Sequence, residues 1–162
     1  MLERITSGIV NILIATDASW VVYDITAALG ADGVSFTVCS EGRVVSDQVA
    51  KRLPDLAILD LQIGSMGGMA VTMSLRLDES ADTLPHVPVL MLLDRKADLH
   101  LARRSGAEGW LIKPLDALRL KRAANAIMNG GTYTEGIPVP DAPTVNQAEA
   151  AESTEEEAAT VG

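Results

Sequence analysis

Five times over, a short apolar run suited to an extended strand is followed by a stretch with helical spacing, and few folds accommodate that alternation. Val10-Asn11-Ile12-Leu13-Ile14-Ala15 is nearly continuous in apolar character and stops at Thr16-Asp17, the mark of a strand buried on both faces. From Ala18 to Leu29, the residues Val21, Ile25, Ala28 and Leu29 recur at helical spacing, and Gly30 follows as a C-terminal cap. The same reading predicts strands over 34–39, 55–59 ending at Asp60, 88–93 and 110–112. Helices are predicted around 44–52, from about 69 to 77, and over 97–105. Asp116 N-caps a last helix whose Ala117, Leu120, Ala124, Ile127 and Met128 form one apolar face, closed by Asn129-Gly130-Gly131. Strands joined through helices run parallel, because only a long right-handed crossover has room for a helix. The expected fold is therefore α/β, a five-stranded parallel sheet flanked by five helices.

That pattern uses residues 1–131 and leaves 132–162. This remainder opens with Gly136, Pro138, Pro140 and Pro143 and continues in Ala, Glu and Thr with almost no bulky apolar side chain. Such a segment buries too little surface to offset its ordering entropy, so an acidic disordered tail is expected. Charge is unevenly spread under the net value of −9. Residues 1–94 carry 5 basic and 12 acidic side chains, 95–122 carry 8 and 3, and 123–162 carry none and 7. The acidic average argues against general affinity for nucleic acid or an anionic membrane. The acidic tail following a basic block predicts a salt-sensitive fold-back onto the last two helices. Cys39 has no partner for a disulfide, and its flanks Phe36 and Val38 read as a buried strand, so it is expected to be a small core residue. Met1-Leu2-Glu3-Arg4 does not begin a secretory leader, and no apolar stretch nears the roughly 18 residues of a membrane span. A cytoplasmic protein is expected.

In an open parallel sheet, ligands collect outside the carboxyl ends of the strands. Asp17 follows the first strand, Asp60 ends the third, Leu93-Asp94 end the fourth and Lys113-Pro114 the fifth. Adjacent carboxylates attract a hard divalent cation, a lysine neutralises a transferred phosphoryl group, and an Asp carboxylate can itself be the nucleophile. Gly64-Ser65-Met66-Gly67-Gly68 lacks the spacing and terminal Lys-Ser/Thr of a phosphate-binding loop. His86 and His100 stand too far apart to suggest a metal pair, and both read as surface imidazoles.

Residues 10–130 resemble the receiver domain of bacterial two-component response regulators. The likeness is carried by Leu56-Ala57-Ile58-Leu59-Asp60-Leu61-Gln62 with Met66-Gly67-Gly68-Met69, by Pro88-Val89-Leu90-Met91, and by Gly109-Trp110-Leu111-Ile112-Lys113-Pro114-Leu115. It implies a flavodoxin-like strand order 2-1-3-4-5, and a signalling module in a phosphorelay rather than an enzyme. Asp60 becomes the phosphoacceptor and Lys113 its phosphoryl partner. Mg2+ would be held by Asp17, Asp60 and the backbone carbonyl of Gln62. The Lys113-Pro114 bond would be cis and Trp110 would be the aromatic switch residue. A sensor histidine kinase or phosphotransfer protein would supply the phosphoryl group. Two positions depart from the pattern: Thr16 replaces one of two acids after the first strand, which lowers metal affinity, and Leu93 replaces the usual hydroxyl residue of the switch. Asp94 adds negative charge beside the site, which Arg95 is placed to offset. Two functions stay open: a stand-alone response regulator phosphorylated on Asp60, and a phosphorylation-independent pseudo-receiver acting as an adaptor. Arg103, Arg104, Arg119, Lys121 and Arg122 make the last two helices basic. The resemblance makes the face formed by helix four, strand five and helix five the surface for a protein target or a homodimer. DNA binding is not expected, because no DNA-reading element is recognised in this sequence.

Overall fold

The first apolar run forms β1 (Val10–Ala15), buried at every position in the computed structural model, which describes residues 8–136. It lies between β2 (Val34–Cys39) and β3 (Leu56–Asp60) and runs parallel to both. With β4 (Val89–Leu93) and β5 (Gly109–Ile112) the strand order is β2-β1-β3-β4-β5. The order reverses between β1 and β3, which opens a crevice at their carboxyl ends. The helices are α1 (Ser19–Leu29), α2 (Val45–Lys51), α3 (Gly68–Ser80), α4 (Leu99–Ser105) and α5 (Ala117–Met128).

The period of two along each strand divides the core. Ile12, Ile14, Ile58 and Leu90 pack with Val21 and Ile25 of α1 and Leu120 and Ile127 of α5. Leu13, Ala57 and Leu59 face Val45 of α2 and Val71 and Leu75 of α3. A third cluster joins Leu61, Met91, Leu93, Ala102 and Trp110 beneath α4.

Element boundaries differ from the sequence expectation for local reasons. Both α2 and α4 start late, since each is entered through a 3-10 turn, Gly42–Val44 and Lys96–Asp98. In α5 the buried face uses Ala123 in place of Ala117, which is exposed at the first turn, beyond the sheet. The Asp116 cap is present, its carboxylate accepting from Arg119 N at 2.9 Å. Strand β2 is not buried as Phe36 and Val38 had suggested. It is an edge strand paired only with β1, and Val38 is 51% exposed. Cys39 is nevertheless buried, and burial pushes its thiol pKa up, which suits a core residue.

Residues 132–136, assigned to the tail by composition, pack against β5. Tyr133 forms a parallel bridge with Gly109. The rest of the expected tail, 137–162, lies outside the described residues. Among the described residues no helix is long and apolar enough to cross a membrane.

Candidate functional site

Asp60 is the last residue of β3 and only 2% exposed. Lys113 follows β5, two strands away, so its side chain crosses the end of β4, a span of about 10 Å between strand axes. Its Nζ lies 3.0 and 2.9 Å from the two carboxylate oxygens of Asp60. The Lys113-Pro114 bond is cis. Thr16, just past β1, donates its hydroxyl to Asp60 Oδ2 at 2.9 Å while accepting from Ala18 N at 3.2 Å, and Gln62 N donates to Oδ1 at 3.2 Å. The carboxylate thus receives four hydrogen bonds, which is how a charged oxygen pair survives burial.

Lys113 is shared. Its Nζ is also 2.8 Å from Asp94 Oδ1, and the Trp20 ring centroid lies 5.6 Å from it. Burial lowers the Lys113 pKa, but hydrogen bonds to Asp94 and Asp60 outweigh it, so the net shift is upward and the ammonium persists. Lys113 pairs with Asp94 directly, and Arg95 adds only a weaker Coulombic attraction to it. Arg95 turns to Asp98 at 2.8 Å.

Asp17 stands exposed at the rim, over the loop after β3, where a Cβ on Gly64 would lie 3.6 Å from its Oδ2. Among the described residues no group of three or more acidic, His or Cys side chains converges as a metal site. The residues that would hold Mg2+, by the resemblance, are Asp60 and Asp17 through their carboxylates and Gln62 through its carbonyl. That set matches the habit of Mg2+, which takes one or two carboxylates and keeps waters. Thr16 contributes no charge, since its hydroxyl is neutral, and it donates its proton to Asp60.

The structure brings Leu93 and Trp110 together in one apolar cluster. Leu93 is fully buried in the apolar cluster that contains Trp110, and its backbone carbonyl accepts from Lys113 N at 2.8 Å. The Trp110 indole N–H donates outward to the Glu135 carbonyl at 2.8 Å. Arg103 and Arg104 are exposed in the last turn of α4, where a cation complements the helix dipole, and Arg122 is exposed on α5. Arg119 departs from the expectation of an open contact residue. Its guanidinium is engaged by Glu135, Asp116 and the carbonyls of Pro114 and Ile112.

Three contributors escaped the sequence reading. Thr16 had counted only as a lost carboxylate and is a donor to Asp60. Trp20 lies over Lys113, and Glu135 sits in what looked like tail. Thr16 was open to being read as a donor, since it adjoins the strand end. Nothing local marks Trp20 or Glu135.

The response regulator receiver domain model matches residues 12–125. The chain belongs to the response-regulator receiver family. Among its relatives, the protein PilH of Pseudomonas aeruginosa is 27% identical over 120 residues, 74% of this chain and 98% of PilH. The response regulator PleD of Caulobacter vibrioides is 31% identical over 112 residues, covering 68% of this chain but only 24% of PleD. The chemotaxis response regulator CheY4 of Vibrio cholerae superposes with a TM-score of 0.62 at 22% identity, over 70% of this chain and 94% of that one. The receiver domain of NtrX from Brucella abortus gives 0.62 at 21% identity, over 73% and 98%. These two structures share the fold, a receiver sheet in the order observed here. As a receiver domain, the chain belongs to two-component signalling, in a family of modules that generally take phosphoryl groups from kinases and bind Mg2+ in the acidic pocket.

Proposed function

We propose that this receiver accepts a phosphoryl group on Asp60 and signals by protein contact. The observation that carries the reading is the buried Asp60 carboxylate held by Lys113 Nζ at 2.9 and 3.0 Å, with Thr16 and Gln62 N orienting it. In the reaction an Asp60 oxygen attacks phosphorus and forms an O–P bond. The bond from phosphorus to the donor, a phosphohistidine nitrogen or the acyl oxygen of acetyl phosphate, breaks, and its electron pair leaves with the donor. Mg2+, held by Asp17, Asp60 and the Gln62 carbonyl, would offset charge on the phosphoryl oxygens. Lys113 is the cation already present at the acceptor, and Asp94 keeps it within reach of a new anion. The phosphodonor is a sensor histidine kinase or a phosphotransfer protein, and the setting is the cytoplasm. Arg103, Arg104 and Arg122 supply the charge of the target-facing surface, on which a second copy of the chain is an alternative occupant.

Acetyl [32P]phosphate should label the wild type in the presence of Mg2+, with Asp60→Asn reduced to background. Label retained in the variant would overturn the assignment. Leu93 favours a second reading, because a buried leucine gives the phosphoryl group no hydroxyl to draw inward. In that reading the domain is a phosphorylation-independent adaptor. Asp60→Asn then retains target binding, and Arg103→Glu or Arg122→Glu abolishes it.

A further inference from the structure

The outer edge of β5 is occupied by residues 133–136. The Tyr133 N–H donates to the Glu108 carbonyl at 3.3 Å and its carbonyl accepts from Trp110 N at 2.9 Å. Two residues on, the Glu135 carbonyl accepts the Trp110 indole N–H at 2.8 Å, and its carboxylate accepts from Ile112 N at 3.1 Å and Arg119 Nε at 2.6 Å. Trp110 N and Ile112 N are therefore both satisfied from outside the five-stranded sheet. A sheet edge left bare is a template for another strand, and here main-chain pairing supplies affinity while one side chain supplies specificity.

The receiving surface is shaped for a strand. A Cβ on Gly109 would run into the Tyr133 carbonyl and come within 2.8 Å of Ile127 Cδ1, so the close approach depends on glycine there. Gly136 has φ +70, and a Cβ on it would lie 3.0 Å from Ile112 Cδ1 and 3.1 Å from Leu99 Cδ1, which sets the end of the segment between β5 and α4. Arg119 is preset independently of Glu135, because its Nη groups also donate to the Pro114 and Ile112 carbonyls at 2.8 and 2.9 Å. A fixed guanidinium fork matches a carboxylate bidentately.

We propose that the β5 edge together with Arg119 is a docking site for an extended peptide segment carrying a glutamate. Residues 133–136 are its resident occupant, and a protein target presenting such a segment binds by replacing them. The target's role rests on the reading of this face as the output surface, whereas the docking itself needs no phosphorylation. The resident segment is joined to α5 by a few residues, so its effective concentration is in the millimolar range, and a competitor sees the site only when that segment is released.

The test uses the full chain and a fluorescein-labelled synthetic peptide of residues 131–137, followed by anisotropy. Glu135→Arg sets like charges against each other and releases the resident segment. Gly136→Val releases it by steric strain without changing charge. Both variants should bind the peptide at least ten-fold more tightly than the wild type does. A peptide with glutamine in place of the glutamate should bind them at least ten-fold more weakly. The Trp110 indole N–H, observed by NMR, should lose its protection from solvent exchange in the variants and regain it with peptide. Equal binding by wild type and variants, or no binding by variants that retain a native melting transition, overturns the proposal. If one variant melts early, the other decides. Acetyl phosphate labelling of the wild type is scored separately, so failure of the docking site and failure of the phosphoacceptor reading are told apart.

Discussion

At opposite ends of the sheet two carboxylates hold cations, and they are built differently. At the carboxyl end, Asp60 is held by one ammonium, Lys113, which divides itself between Asp60 and Asp94. At the amino end, Glu108 is gripped by Arg76 Nη2 at 2.7 and 2.9 Å, by Val89 N at 2.6 Å and by His86 Nε2 at 2.7 Å. Arg76 donates further to the carbonyls of Val87 and Gly106, which ties α3 to the segments bordering β4 and α4. A planar fork spread over several fixed acceptors is a staple, whereas a compact ammonium on a flexible stem can change partners without moving the backbone. The burial also differs, since the Asp60 side chain is 3% exposed and that of Glu108 19%. The two ends therefore use similar charges for different purposes, exchange above and fastening below.

The largest effect expected on breaking this contrast is at the exchange end. Lys113→Met strands the Asp60 carboxylate without its cation and should cost about 3 kcal/mol in urea unfolding. Labelling of Asp60 should fall at least ten-fold. Arg76→Ala should cost less, about 2 kcal/mol, because its charge-assisted bonds are partly solvated, and should leave labelling unchanged. Arg76→Lys should recover only part of that loss, since the fork geometry is gone. A labelling defect in Arg76→Ala would erase the division between the two ends. Thr16→Asp restores a second acid beside Asp60 and should tighten the Mg2+ dependence of labelling by about ten-fold. In EDTA the same variant should melt below the wild type, because the two carboxylates then repel.

The smallest effect is in alkali. Lys113 is shifted upward on folding from the ordinary value of 10.5, so its contribution to stability is whole below that pH and is lost as pH rises through the higher folded value. Urea midpoints of the wild type should therefore decline more steeply above pH 10.5 than those of Lys113→Met. Parallel curves would mean that the ammonium contributes nothing at that end.

Much of this was legible in advance, though unevenly. Val10–Ala15 and Leu56–Asp60 announce themselves as doubly buried strands, and their ends place Asp17 and Asp60 at one edge of the sheet. Strand β2 was misread because edge and centre differ by a neighbour that the local sequence does not contain. Arg119 looked like an open surface cation because its acceptor, Glu135, lies 16 residues on in a segment whose composition speaks against order. That segment is held by main-chain pairing to an edge, by one ion pair and by Tyr133 packed against the core, and a single apolar residue leaves almost no hydrophobic signature. Of the acidic residues after position 122 only Glu135 is described, and it meets Arg119 of α5; the fold-back expected of the acidic stretch beyond it lies outside the described residues.

By itself the sequence determined the alternation of elements, the two-faced core and the strand ends at which chemistry collects, because each follows from periodicity within a few residues. Tertiary structure decided which charges meet. Lys113 reaches Asp60 across 53 positions, Thr16 reaches it across 44, and Arg76 reaches Glu108 across 32. Such pairings depend on strand order, register and competition among neighbouring carboxylates, and these exist only once the sheet has formed.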